Sequence, residues 1–186
     1  MKYRSEIDGL RAIAVLPVIF FHAGFEFFSG GFIGVDVFLV ISGYLITTII
    51  IAEMSEDKFS ILNFYERRAR RIIPVLFVTF LVSFPFAYSY LLPSQFIEYA
   101  QSILSATFFG SNIFFYLTNT QYGAQDSLLQ PFLHTWSLGV EEQFYIFFPL
   151  LVLFGYRFFK NYLISIITIL IILSLLYAEW MSSENQ

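Results

Sequence analysis

The sequence has 186 residues, of which 58% are hydrophobic and only 13% charged, with a mean hydropathy of +0.71. A soluble domain is about half apolar and roughly 25% charged, so this composition describes an integral membrane protein. The net charge of −4 gives no basis for a nucleic-acid partner, and the lack of cysteine excludes disulfides, thiolate metal ligands and a cysteinyl acyl-enzyme.

Apolar stretches long enough to cross a bilayer lie at roughly 10–28, 32–52, 72–92, 96–117, 136–155 and 162–178. In lipid each backbone amide must be satisfied within its own segment, so every stretch is expected to be a helix. The expected fold is therefore all-α: a polytopic transmembrane bundle of five or six spans. It forms one domain over 1–186, without internal repeats.

The first stretch carries Arg11 and His22. Their spacing is three helical turns plus about 20°, which puts both on one face about 16 Å apart along the axis. Each would cost about 2.5–3.5 kcal/mol at the centre of a lone membrane helix, so the shared stripe is expected to face a bundle interior and to be functional. The opening Met-Lys-Tyr-Arg has the outline of a signal peptide. Arg11, His22 and the lack of a small-residue cleavage site argue instead for an uncleaved span.

The second stretch begins near Phe32 and carries Asp36 about one turn in. If the first span ends near Phe28, an antiparallel hairpin sets His22 and Asp36 at similar depth. Asp36 then either orients the imidazole as a general base requires, or stays hydrated at the interface while His22 bonds a backbone carbonyl. Gly30, Gly31, Gly34, Ser42 and Gly43 would let a helix or a ligand come close to this backbone.

The 53–71 loop holds five of the ten cations: Lys58, Arg67, Arg68, Arg70 and Arg71. The positive-inside rule makes it cytoplasmic, together with an N-terminus that carries Lys2 and Arg4. Six simple spans would then put Arg157 and Lys160 outside, a conflict removed if 96–117 or 130–145 is a broken or re-entrant segment. Four arginines without a lysine between Arg67 and Arg71 suit bidentate phosphate binding, while simple attachment to anionic lipid needs charge alone.

His134, Trp136, Glu141 and Glu142 stand at the entry to the 136–155 stretch and are candidates for substrate binding or structure. Trp136 and Tyr145 also suit an interfacial aromatic belt. No histidine–carboxylate spacing suits a metal, so no metal is expected.

Five blocks, in order, resemble the acyltransferase-3 family of integral-membrane O-acyltransferases. They are Tyr3-Arg-Ser-Glu-Ile-Asp-Gly-Leu-Arg-Ala-Ile-Ala-Val, the R-x10-H pattern ending at His22, Gly31-Phe-Ile-Gly-Val-Asp-Val-Phe-Leu-Val-Ile-Ser-Gly-Tyr-Leu-Ile-Thr47, Phe64-Tyr-Glu-Arg-Arg-Ala-Arg-Arg-Ile-Ile-Pro74, and His134-Thr-Trp-Ser-Leu-Gly-Val-Glu-Glu-Gln-Phe-Tyr145. The last is typical of members fused to an extracytoplasmic SGNH-type domain. The resemblance implies transfer of an acyl group, commonly acetyl from acetyl-CoA, to a hydroxyl of a cell-envelope carbohydrate at a bacterial inner membrane. It implies that Arg11 and His22 are the catalytic pair, with Asp36 as a possible orienter. It also implies that Arg67 with Arg70, or Arg68 with Arg71, form an R-x-x-R motif that holds acyl-CoA; both registers fit. Similar membrane domains have more spans, so the sequence is expected to be an N-terminal portion whose partners include further C-terminal spans or an SGNH domain, besides the bilayer and the glycan. The competing readings are a catalytically incomplete fragment or non-enzymatic membrane partner and, after that, a small transporter.

Overall fold

A computed structural model describes residues 4–119 and 130–184. Lys2 and most of the 118–130 loop, on which part of the expected topology rests, lie outside the described residues.

Seven α-helices appear among the described residues: α1 Ser5–His22, α2 Ile33–Ser55, α3 Ile61–Tyr90, α4 Pro93–Thr107, α5 Ser111–Asn119, α6 Thr135–Phe158 and α7 Leu163–Glu184. Four segments are long and apolar enough to cross a membrane: α2, α3, α6 and Lys160–Ser183, which takes in all of α7 but its last residue. That is fewer than the five or six expected, and α1 and the 96–117 stretch account for the difference.

Expected to run to about residue 28, α1 stops at His22. Gly24 takes a left-handed φ of +81°, the Phe25 amide donates to Phe20 O at 3.1 Å and the Gly24 amide to Phe21 O at 3.1 Å. These two bonds form a Schellman cap, and the Phe20 and Phe25 rings supply its usual apolar contact at 5.5 Å. The aromatic run Phe25–Phe28 prolongs the hydropathy but not the helix.

The 96–117 stretch is broken in the same way. Phe109 adopts φ +55°, Gly110 N–H donates to Ser105 O at 2.7 Å, and the chain divides into helices of 15 and 9 residues. Neither piece alone reaches across the roughly 30 Å hydrocarbon core. With 30 residues, α3 is about 45 Å long, so it overreaches that core and its arginine-bearing first turns project from the apolar slab.

The chain forms two compact units, Met1–Tyr145 and Ile146–Gln186, with the boundary inside α6. The larger unit has its core where α3, α4, α5 and the segment before α6 meet: Leu76, Phe80, Ala87, Tyr99, Ala106, Phe115 and Phe132 are all buried there. Phe132 is the hub, with ring centres 5.1 Å from Phe80 and 5.4 Å from Tyr99. In the smaller unit a short 3-10 turn, Lys160–Tyr162, joins the end of α6 to α7. A Cβ on Gly155 would strike Leu163, so that glycine sets how tightly this turn folds back.

The α1–α2 hairpin is the closest helix pairing in the larger unit. A Cβ on Gly31 would overlap the Pro17 carbonyl, and one on Gly34 would overlap the Ala14 carbonyl. Small residues at a helix interface permit this approach. Of the five small residues in α2 and its approach, these two serve it; Gly30 meets nothing and Gly43 only touches Phe144 at 4.0 Å.

Polar clasps hold the first turns of α6 to α5. Asn112 and Gln143 exchange amide hydrogen bonds of 3.1 and 2.9 Å, Gln143 also donates to Phe109 O at 3.0 Å, and Thr135 donates to Ser111 at 2.9 Å. Gly139 lets the helices close to this range, since a Cβ there would come within 3.0 Å of Asn112 Oδ1.

Candidate functional site

His22 is the last residue of α1, and its side chain is exposed. Its Nδ1 lies 2.8 Å from Val18 O. A carbonyl only accepts, so Nδ1 carries the proton and neutral His22 presents its lone pair at Nε2. Of the two arrangements left open by the sequence, the backbone carbonyl fixes the tautomer here. Asp36 is exposed in the first turn of α2, and no His22–Asp36 hydrogen bond is present among the described residues.

Arg11 is half-buried on α1, its guanidinium carbon 5.6 Å from the centre of the Phe38 ring. Its Nε is buried and has no hydrogen-bond partner. A buried unsatisfied donor is costly, and such groups commonly mark a position where a ligand or ion completes the bonding.

The four arginines of α3 separate into two stripes. Arg67 pairs with Glu53 through contacts of 2.8 and 3.1 Å, and Arg70 pairs with Glu66 one turn earlier at 2.7 Å. Both side chains are exposed, and carboxylates already occupy them. Arg68 and Arg71 follow one position on, about 100° further round the helix, and Arg71 is exposed. Arg68 is half-buried, its guanidinium carbon 4.7 Å from the Tyr145 ring centre and 5.8 Å from that of Phe64. Arg71 lines a cavity of about 340 Å³ with Val75, Leu76, Thr79, Phe132 and His134. Of the four arginines, Arg71 is the one that lines this cavity, while Arg68 packs on Tyr145.

His134 lies just before α6, on the wall of that cavity. Burial in the surrounding protein pushes its pKa below the usual histidine range, and electrostatic interaction with His22 pushes the same way; a bond to the Pro131 backbone works against both. From Arg71 to Thr79 the cavity follows about two turns of α3, roughly 12 Å. It is lined by Arg71 and by His134.

A second polar cluster ties α2 to α6. Ser42 is buried; its hydroxyl and that of Tyr145 meet each other, and both donate to the Glu141 carboxylate. Glu142 is 5% exposed and its Oε1 has no partner, while Arg68 lies within electrostatic reach of both glutamates. Trp136, 40% exposed, stands apart on an open groove with Asn112, Tyr116 and Asn119. Among the described residues no group of three or more histidines and carboxylates is placed to hold a metal. The part of Ser42 and Tyr145 was missed in the sequence. They lie about a hundred positions apart, and the only hint was a small polar residue in an apolar span facing the Glu-Glu-Gln-Phe-Tyr motif.

The sequence model of the acyltransferase domain family matches residues 4–185. The chain belongs to the acyltransferase-3 family. Among curated acyltransferases it is 40% identical over 177 residues to the O-acetyltransferase OatA of Staphylococcus aureus, a match covering 94% of this chain and 28% of the relative. It is 39% identical over 183 residues to the peptidoglycan O-acetyltransferase OatA of Listeria monocytogenes, covering 97% of this chain and 29% of that one. The chain thus spans less than a third of the length of these acyltransferases. No solved structure matches it significantly.

Proposed function

We propose that this chain is the N-terminal, catalytic-pair-bearing part of a membrane O-acyltransferase that moves an acyl group, commonly acetyl, from acyl-CoA to a hydroxyl of a cell-envelope glycan. The observation that carries the proposal is the second arginine pair: Arg68 and Arg71 make no ion pair with the carboxylates that neutralise Arg67 and Arg70, and Arg71 opens onto the cavity that His134 also lines. The name of the Listeria relative supports a peptidoglycan acceptor.

The residues suit a CoA thioester. Guanidinium groups bind phosphate bidentately, so Arg68 and Arg71 would hold the nucleotide phosphates. The cavity's apolar wall, Val75, Leu76 and Leu138, would take the slender pantetheine arm, with Thr79 as a polar contact. Arg11, whose buried Nε lacks a partner, would add a donor to the bound thioester. His22 Nε2 takes the proton of the acceptor hydroxyl as its oxygen attacks the thioester carbonyl. The C–S bond breaks, and the departing thiolate regains that proton from the imidazolium. Val18 O keeps Nδ1 protonated throughout, which leaves Asp36 the lesser role of a nearby charge. His134 shapes the cavity wall, and the two glutamates lie within electrostatic reach of Arg68. In this reading the 53–71 loop lies in the cytoplasm of a bacterial inner membrane, where acyl-CoA is available. Further spans or an SGNH domain would complete the route of the acyl group to the glycan.

The test is CoA binding and thiol release from acetyl-CoA by the chain in lipid nanodiscs. Binding lost on Arg68→Gln with Arg71→Gln, and retained on Arg67→Gln with Arg70→Gln, is the expected result. His22→Ala should leave binding intact and abolish any thiol release. Absence of CoA binding at millimolar concentration by the unaltered chain would overturn the proposal.

A further inference from the structure

We infer that Tyr145 is a positioning residue for the phosphate-bearing donor: its ring holds the Arg68 guanidinium, and Glu141 and Ser42 hold the ring. The inference rests on the donor site proposed above and adds residues to it that the R-x-x-R motif does not contain.

Arg68 has a long side chain with several rotamers, and fixing one of them is an entropic cost that a binding site benefits from meeting beforehand. Its guanidinium carbon is 4.7 Å from the Tyr145 ring centre, well within cation–π range, and Phe64 closes from its own helix at 5.8 Å. Tyr145 is 2% exposed; its hydroxyl donates to Glu141 one turn earlier on α6 and lies against the Ser42 hydroxyl of α2, which donates to the same carboxylate. The ring therefore cannot swing away without breaking its hydrogen bond to Glu141. Ser42 is itself 1% exposed, so the support is carried into the core of the α2–α6 contact. An aromatic ring supports a guanidinium without using its in-plane N–H groups, which stay available for a phosphate. Glu141 would compete with that phosphate for Arg68 were it free. Two hydroxyl donors engage it instead, so the same cluster that anchors the ring also occupies the competing carboxylate.

The experiment measures binding of coenzyme A, and separately of inorganic pyrophosphate, to the chain in nanodiscs. Tyr145→Phe keeps the ring face and should bind coenzyme A within about threefold of the unaltered chain. Tyr145→Leu removes the ring and should weaken binding about 3- to 30-fold, the range of a cation–π contact from exposed to desolvated. In an Arg68→Gln background, Tyr145→Leu should have no further effect, because a positioning residue acts only through the group it positions. A merely structural tyrosine would give the same loss in both backgrounds, and that result overturns the inference while leaving the donor site standing. Equal binding by Tyr145→Leu and the unaltered chain would also overturn it. If the unaltered chain binds neither probe, the donor-site proposal falls, and this inference with it.

Discussion

Gly34→Ala puts the α1–α2 hairpin to the sharpest test. The added Cβ would stand 2.9 Å from Val18 Cγ2 and 3.1 Å from the Ala14 carbonyl carbon, with the Ala14 oxygen nearer still. Val18 can turn, but a backbone carbonyl in mid-helix cannot. The helices must therefore separate by about 1 Å at this level, and such overpacking typically costs about 1–3 kcal/mol. Because α1 carries His22 and Arg11, the shift also moves the proposed base against the rest of the site. A misplacement of that size can lower turnover by about 100-fold. Gly43→Ala on the same helix is the control: its new methyl would meet only Phe144, at 4.0 Å. Both changes replace glycine with alanine inside α2, so the gain in helix propensity is common to both and cancels. Melting in nanodiscs and thiol release from acetyl-CoA are measured side by side. Gly34→Ala should lower both and Gly43→Ala neither. If Gly34→Ala melts with the unaltered chain, the close approach of α1 and α2 is refuted, whatever happens to activity.

Arg71→Lys should weaken coenzyme A binding by about tenfold, because a point charge replaces a bidentate fork; Arg70→Lys, on the carboxylate-paired stripe, should change it less than about twofold, as titration calorimetry would show. Gln143→Leu removes three hydrogen bonds between α6 and the α4–α5 corner, and at about 0.6 kcal/mol for each such bond in a membrane protein it should destabilise by about 2 kcal/mol in denaturant titration. His134 gives a pH dependence. Its folded pKa lies below the unfolded value of about 6.5, so the unfolded chain binds the proton more readily and stability falls as pH drops from about 6.5 towards the folded value. His134→Gln should flatten that decline, and His22→Gln should flatten it in part by removing the neighbouring charge. Identical melting–pH curves for all three proteins would show that the histidines do not sense one another.

The sequence made local features plain and left distant ones hidden. Arg11 and His22 share one helix, so their common face follows from periodicity alone. The end of α1 was also encoded, in the Ala23-Gly24 pair, but the phenylalanines behind it kept the hydropathy high and masked the cap. Hydropathy measures what tolerates lipid; a helix ends where the backbone turns. The break at Phe109 is harder to see, because there a non-glycine residue takes the left-handed position beside a glycine. What each of the four arginines touches could not be read locally at all. It depends on Glu53 fourteen residues back and on Tyr145 more than seventy residues ahead, and no periodicity within α3 carries that information.

The paired arginine stripes also separate two moments in the life of the chain. Orientation during membrane insertion is set by counting lysines and arginines near the span ends, with little weight given to acidic neighbours. At that stage Lys58 and all four arginines act together. In the folded protein Glu56 and Glu66 take up Lys58 and Arg70 locally, Glu53 takes up Arg67 once α2 and α3 have met, and Arg68 and Arg71 make no ion pair among the described residues. Substitutions that remove an outer arginine should therefore show their effect in biogenesis, as inverted or poorly inserted chains, while mature protein that has inserted correctly works normally. The same density of charge serves first as an address and later, with most of it silenced, as a grip.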